Sequence, residues 1–370
     1  MKSKKNLNKI VITSLIILAI LSIYALFSIP SKKMDFKQQN TVKAESAASS
    51  YSSKGDLSPN TVSELASEVE ASYSSQYNDT DQSVETSPIP AATVAEQSEN
   101  TLNNSNVLDT PIASGTMEVH FLDVGQGDAT LITCDGEAML IASGDPNQGT
   151  KIQLYLTKQG ISSLKYLVLS HPDSDHIGGA PVIITKYDIG TVFMSGYQKP
   201  DGHKTSERLQ EALSYKYINP VIPSVGSSYR LGNADFTFIG PISYQADEPN
   251  NASLALIVQY GNNRFLFTGD AEETEENDIL NTGINIQSDV YKVGHHGSNS
   301  SSSSPFLQAI RPTYVVISCG RDNTYGHPHD STLQRLNSIG ANIFRTDLQG
   351  TVVAVSDGNN IYWLTLFGAD

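Results

Sequence analysis

Five clusters of His, Asp and Gly each stand at or just past the end of a short apolar, β-branched run, and this recurrence most constrains the fold. Residues 123–128 close a run that begins at Met117. Residues 171–176 follow 166–170, Thr268-Gly269-Asp270 ends 264–268, and 294–297 follow 290–293. Residues 325–329 lie a few positions past 314–318. Runs rich in Val, Ile, Tyr and Phe predict strands. Polar loops anchored on rigid strands are where reacting groups are positioned. Further strands are predicted at 129–133, 138–142, 191–194, 236–239 and 254–259, with several more near the end of the chain. Helical stretches are predicted at 150–159, 179–186, 206–214, 274–281, 305–310 and 331–338. Strands outnumber helices and helices fall between them. That predicts an α/β domain with a two-sheet core and helices on its outer faces.

None of these clusters occurs in the first third of the chain. Residues 10–29 carry no charge and are mostly Ile, Leu, Val and Ala. About 20 apolar helical residues cross a hydrocarbon core of roughly 30 Å. Lys2, Lys4, Lys5 and Lys9 precede the stretch and favour a cytoplasmic N-terminus. Residues 1–30 are therefore expected to be a transmembrane anchor or a signal sequence. The expected location is the cell membrane, single-pass, with the folded domain extracellular, or secreted if the segment is cleaved. Residues 31–115 are rich in Ser, Thr, Asn and Gln without a period of 2 or 3.6. Such a segment buries too little apolar surface to offset its ordering entropy, so a disordered Ser/Thr-rich linker is expected. The folded domain is expected over 116–370. It holds 27 acidic and 15 basic residues, a formal charge of −12 out of −15 for the chain. That charge opposes tight nonspecific nucleic-acid binding, which needs Lys and Arg against phosphates. The two cysteines, Cys134 and Cys319, sit in or at the end of apolar runs and read as buried free thiols.

Ser170-His171-Pro172-Asp173-Ser174-Asp175-His176-Ile177-Gly178-Gly179 puts four potential metal ligands within six residues. His171 and Asp173, two apart on an extended loop, face one way. Asp175 and His176 are adjacent and diverge towards a second position. An Asp helix cap accounts for one carboxylate but for neither histidine. Asp270 ends an apolar strand and is placed to bridge two cations. His295 and His296 add two imidazoles. Nitrogen and oxygen ligands without thiolate suit one or two divalent ions, zinc or manganese, and the aspartates at 173, 175 and 270 shift the balance towards manganese.

His171-x-Asp173-x-Asp175-His176, Asp270 and His295-His296-Gly297 together resemble the metallo-β-lactamase superfamily, whose usual first motif is His-x-His-x-Asp-His. With Phe121-Leu122-Asp123-Val124-Gly125-Gln126-Gly127-Asp128, His295-His296-Gly297-Ser298 and Tyr325-Gly326-His327-Pro328-His329, the chain is more closely similar to the hydrolase domain of the competence protein ComEC and its stand-alone relatives. The resemblance runs from about 117 to 353 and implies an αββα sandwich with a metal site at one edge. There are departures. Asp173 stands where the superfamily has its second histidine, which is itself the ComEC-like form. Asn250-Asn251-Ala252-Ser253 stands where a separate histidine is expected. Ala142 replaces the third-strand acid. The sequence also holds one apolar segment, against the multi-helix channel of ComEC.

Asp175 and His327 are the candidate catalytic residues, His327 as an oxyanion contact or proton donor. Asp123, Asp128, Asn251, Ser298 and His329 are candidates for supporting or substrate-facing roles. Asp128 is expected to orient a ligand histidine, and His120 to be structural. The expected function is an extracytoplasmic metal-dependent hydrolase, a phosphodiesterase or DNA nuclease using metal-bound hydroxide. DNA as substrate follows from the resemblance alone. The alternatives are a cell-wall or teichoic-acid phosphodiesterase and a non-catalytic surface binding module. No protein partner is implied.

Overall fold

β1 (Met117–Phe121) shows how alternation along the chain sets the layers. Met117, Val119 and Phe121 are buried among residues of a facing sheet. His120 points the other way, to the Tyr155 hydroxyl at 2.8 Å, as successive strand residues must. The computed structural model describes residues 115–197, 202–244 and 248–366. The expected anchor over 1–30 and the linker up to residue 114 lie outside the described residues. Among the described residues no helix is long and apolar enough to cross a membrane.

β2 (Thr130–Cys134), β3 (Glu137–Ile141), β4 (Ser163–Leu169) and β5 (Asp188–Met194) extend the first sheet from β1. β6 (Ser228–Leu231), β7 (Ala234–Gly240), β8 (Ala255–Tyr260), β9 (Asn263–Phe267), β10 (Val290–Lys292), β11 (Tyr314–Ile317) and β12 (Asn342–Arg345) build the second. β13 (Thr351–Ser356) and β14 (Ile361–Leu366) return to the first sheet beside β1. The orders are β14-β13-β1-β2-β3-β4-β5 and β12-β11-β10-β9-β8-β7-β6. Both sheets are mixed. β3-β4-β5 and β9-β10-β11-β12 are parallel, and the remaining pairs are antiparallel.

Three apolar layers hold the sheets and helices together. Between the sheets, Phe121, Phe193, Phe236, Phe238, Phe265 and Phe267 are buried with aliphatic neighbours. Burial of each such ring contributes roughly 1.5–3 kcal/mol. The outer face of the first sheet packs on α1 (Gly149–Lys158), α3 (Ala180–Lys186) and α4 (Lys204–Tyr215). The outer face of the second packs on α5 (Glu273–Asn281), α6 (Ser304–Ile310) and α7 (Asp330–Ser338). The layers run α-β-β-α.

Both cysteines are free and buried. Two features escaped the strand reading. The pattern of β-branched runs does not mark β6, because Ser228-Tyr229-Arg230-Leu231 is half polar, as an edge strand can be. β5 starts at Asp188, earlier than 191, because pairing with β4 carries the extended chain through Gly190. The short helices α2 (Ser174–Ile177) and α8 (Thr346–Gln349) were also unforeseen.

The parallel strands place the polar clusters. In open α/β sheets, ligands bind beyond the carboxyl ends of the strands. The loops at 142–145, 170–176, 268–272, 293–297 and 318–329 follow the carboxyl ends of β3, β4, β9, β10 and β11 respectively. Leu254 N–H donates to the Ser170 carbonyl at 2.8 Å and joins loops of the two sheets there.

Candidate metal centre

β4 delivers His171, and α2 then turns the chain so that Asp175 and His176 face back. Asp173 occupies the N-cap of α2, yet its carboxylate makes no capping bond. Its Oδ1 lies 4.0 Å from His171 Nε2. Gly127 allows the turn to close, since a Cβ there would stand 2.8 Å from the Asp175 carbonyl. At the end of β9, Gly269 adopts φ +53, where a Cβ would lie 2.9 Å from Ser253.

Asp270 stands in the middle. Its Oδ1 lies 3.1 Å from His176 Nε2, and its Oδ2 lies 3.5 Å from His296 Nε2. The same Oδ2 is 3.9 Å from His171 Nε2 and 3.9 Å from His295 Nε2. Asp175 Oδ2 is 3.2 Å from His296 Nε2. Asp175, His176, Asp270 and His296 each offer one atom, all within 4.8 Å of one another. His171 and His295 also approach Asp270 Oδ2, and Asp173 approaches His171. The adjacent Asp175 and His176 do not diverge from each other: His176 Nε2 lies 4.0 Å from Asp175 Oδ2.

Hydrogen bonding behind the histidines decides where their lone pairs point. His296 Nδ1 lies 2.9 Å from the Ser318 carbonyl, which only accepts, so Nδ1 keeps its proton and Nε2 is the nitrogen that faces the site and that a cation can take. His295 Nδ1 is 3.1 Å from Glu272 Oε1, with the same consequence. The hydroxyls of Ser170 and Ser253 lie 3.3 and 3.2 Å from His171 Nδ1, and Ser170 also lies 3.3 Å from His176 Nδ1. His171 Nε2 is buried and has no hydrogen-bond partner. His176 and His296 bring their Nε2 atoms to 3.3 Å. His295 and His296 hold φ of 47° and 52°, a strained region that non-glycine residues keep when their surroundings demand it. Converging nitrogens, an orphaned buried imidazole and carboxylates between them suit a divalent cation.

The electrostatics agree. Burial works to raise the Asp270 carboxyl, but His176 and His296 outweigh it and hold it well below its ordinary range. Asp175 is likewise depressed, burial being overcome by His176 and then His296. Burial opposes charge on His296, yet Asp270 and Asp175 push it up to about 10. His171 is lowered to about 4, first by burial and then by His176. The quartet therefore retains protons that a cation displaces.

Residues 122–321 match the model of the metallo-β-lactamase superfamily. The chain belongs to the metallo-β-lactamase superfamily. It is 30% identical over 263 residues to ComE operon protein 3 of Bacillus subtilis, covering 65% of this chain and 33% of that protein. It is 32% identical over 246 residues to Recombination protein 2 of Haemophilus influenzae, covering 65% and 29%. It is 32% identical over 232 residues to Competence protein ComA of Neisseria gonorrhoeae, covering 62% and 31%. The chain thus spans about a third of the length of these curated relatives. The similarity is to ComEC-like competence proteins within the metallo-β-lactamase superfamily.

Other predicted site residues fall further out. Asp128 is corrected. Its carboxylate meets Lys292 Nζ at 3.1 Å in a buried pair, so it is turned to a lysine and not to a ligand histidine. Asp123 closes its own turn, accepting Gly125 N–H at 3.1 Å. Asn251 accepts Glu272 N–H at 2.9 Å. The Ser298 hydroxyl lies 2.9 Å from that of Ser300. His329 accepts Asn299 N–H on Nδ1 at 2.9 Å and stands at the N-cap position of α7 without a side-chain capping bond. His120 bonds Tyr155 and Glu118, away from the centre. The His327 ring stacks on His296 at 6.2 Å and 17°. Glu272, Ser170, Ser253 and Asp145 were missed. Glu272 carried one signal, an acid two residues past Asp270. Asp145 lies near Asp175, and burial followed by that charge raises its carboxyl.

Proposed function

We propose that this superfamily hydrolase is an extracytoplasmic phosphodiesterase with single-stranded DNA as its first substrate. The observation that carries the reading is Asp270, whose two oxygens stand among four imidazoles, Oδ1 facing His176 and Oδ2 facing His296, His171 and His295. His171, Asp173, Asp270 and His295 would hold one divalent ion, and Asp175, His176, Asp270 and His296 the other. When bound, such ions polarise a phosphoryl oxygen and acidify water to a pKa of about 7.

The chain's own groups supply the rest. Burial, followed by the neighbouring histidines, lowers His327 to about 4, so it is neutral at neutral pH. Gln126 Oε1 accepts Gly320 N–H at 3.0 Å, which turns its Nε2 towards His327 Nδ1 at 3.5 Å. The His327 proton is then on Nε2. This favours a hydrogen-bond donor to developing phosphoryl charge over a charged general acid. Tyr325 is 66% exposed and stacks on the outer side of His327 at 5.7 Å and 25°. Its free face suits a nucleobase, since base stacking on aromatics is sequence-tolerant. The names of the competence and recombination relatives favour DNA in the same sense. The charge of −12 implies few phosphate contacts and a shallow salt dependence. An anchor at residues 10–29, with lysines before it, would leave the domain outside the cell, where teichoic acid is the second candidate.

The test is an activity screen of the full chain with manganese and with zinc, against single-stranded DNA, bis-p-nitrophenyl phosphate and wall teichoic acid. DNA and the small diester should be cleaved. Cleavage of teichoic acid alone would move the substrate to the cell wall. Bound metal without any hydrolysis would leave a binding module.

A further inference from the structure

We infer that Glu272 is a positioning residue for one metal position, and that it makes His295 do the work of the histidine absent near residue 250. The inference rests on the two-position reading above.

Residues 250–253, where the superfamily has its separate histidine, carry no imidazole here. Ser253 spends its hydroxyl on Asp270 N–H at 3.0 Å and on His171 Nδ1 at 3.2 Å. The His171 side therefore lacks a nitrogen. The adjoining 3-10 turn Asn250–Ala252 instead builds a cradle for Glu272. Asn251 Oδ1 accepts Glu272 N–H at 2.9 Å, and Asn251 is itself held by Glu248 at 2.6 Å. Asn250 Nδ2 donates to Glu272 Oε1 at 3.3 Å, and the Ser300 hydroxyl donates to the same oxygen at 2.9 Å. That oxygen meets His295 Nδ1 at 3.1 Å. The proton is fixed on Nδ1, and Nε2 is turned towards Asp270 Oδ2, the oxygen that His171 faces at 3.9 Å and His296 at 3.5 Å. A strained φ of 47° at His295 is held against relaxation by this network. Groups behind a ligand histidine set its tautomer and ring orientation, and their loss costs about 10- to 100-fold in metal affinity.

The test is manganese binding by the full chain, read by calorimetry and elemental analysis. Wild type should bind two ions. Glu272→Ala and His295→Ala should each weaken one ion by about 10- to 100-fold and leave the other unchanged. Glu272→Gln, whose amide oxygen still accepts from Nδ1, should recover most of the affinity. The double variant should be no weaker than His295→Ala, because Glu272 acts through His295. Two wild-type affinities in Glu272→Ala, equal weakening of both ions, or additive losses would overturn the inference while diester cleavage by wild type keeps the proposed function standing. A wild type that binds a single ion would overturn the inference and the two-position reading together.

Discussion

Lys292 Nζ lies 3.1 Å from Asp128 Oδ2, and both side chains are almost fully buried. The pair joins β10, which leads into His295 and His296, to the loop whose Asp128 N–H donates to the Asp175 carbonyl at 3.0 Å. The segment that leads to His295 and His296 is thus tied, through one ion pair and one backbone hydrogen bond, to the loop that bears Asp175. Removing one partner of a buried pair leaves an uncompensated charge and costs about 3–5 kcal/mol. Lys292→Met should lower urea stability by that amount, and Lys292→Met with Asp128→Asn should restore most of it. A double variant no more stable than the single would contradict this role.

Asp270→Ala should remove bound metal and abolish diester cleavage while circular dichroism stays native. The substitution deletes the carboxylate that faces His176, His296, His171 and His295 together. His327→Ala should keep full metal content and lose about 10²–10³ in kcat, as expected for one donor to a developing oxyanion. The reverse pattern, with metal and turnover intact in Asp270→Ala, would sink the assignment.

Metal binding should release protons near neutral pH. Without a cation, His176 and His296 are held above their ordinary values by Asp270 and Asp175, against the opposing effect of burial. The ion must displace those protons, so apparent affinity should fall as pH is lowered from about 8 to about 6. Calorimetry in buffers of different ionisation enthalpy measures the protons released. Equal heats in all buffers would rule the coupling out.

Glu275 gives a separate pH signature. Its carboxyl is buried on α5 and pushed up to about 8, by burial first, although it accepts Ile242 N–H at 2.8 Å. The native state holds the proton more tightly than an unfolded chain, whose Glu titrates near 4.3. Stability from this group is complete below about pH 4.3 and declines until about pH 8, by an amount on the order of a few kcal/mol. Glu275→Gln should therefore raise the midpoint of thermal unfolding at pH 8 and change it little at pH 4.5. A variant equally affected at both values would exclude burial of the charge as the cause.

Tyr325→Ala should weaken cleavage of single-stranded DNA mainly through KM and leave bis-p-nitrophenyl phosphate turnover nearly unchanged. Loss of one stacked base costs about 1–3 kcal/mol. Tyr325→Phe should behave as wild type. An equal effect of Tyr325→Ala on both substrates would remove the stacking role.

The order of strands and helices, the five strand-end clusters and the types of ligand were legible in the sequence, because each depends on local alternation, β-branched runs and punctuation by Gly and Pro. The motif from His171 to His176 already held four donors, and Asp270 already stood alone at the end of its strand. Tertiary structure decided what those donors face. His176 and His296 are 120 positions apart, yet the packing of two sheets brings their Nε2 atoms to 3.3 Å. Asp128 went to Lys292 because a buried ammonium needs a carboxylate more than a histidine does, and no short-range pattern places β10 against residue 128. Glu272 reads in the sequence as another acid at the start of a helix. It becomes a holder of His295 only because Asn250, Asn251 and Ser300, from two other loops, close around it. Residue types set which chemistry the chain has available. Convergence at the carboxyl ends of the parallel strands, created by long-range packing, selects which of those residues share a site.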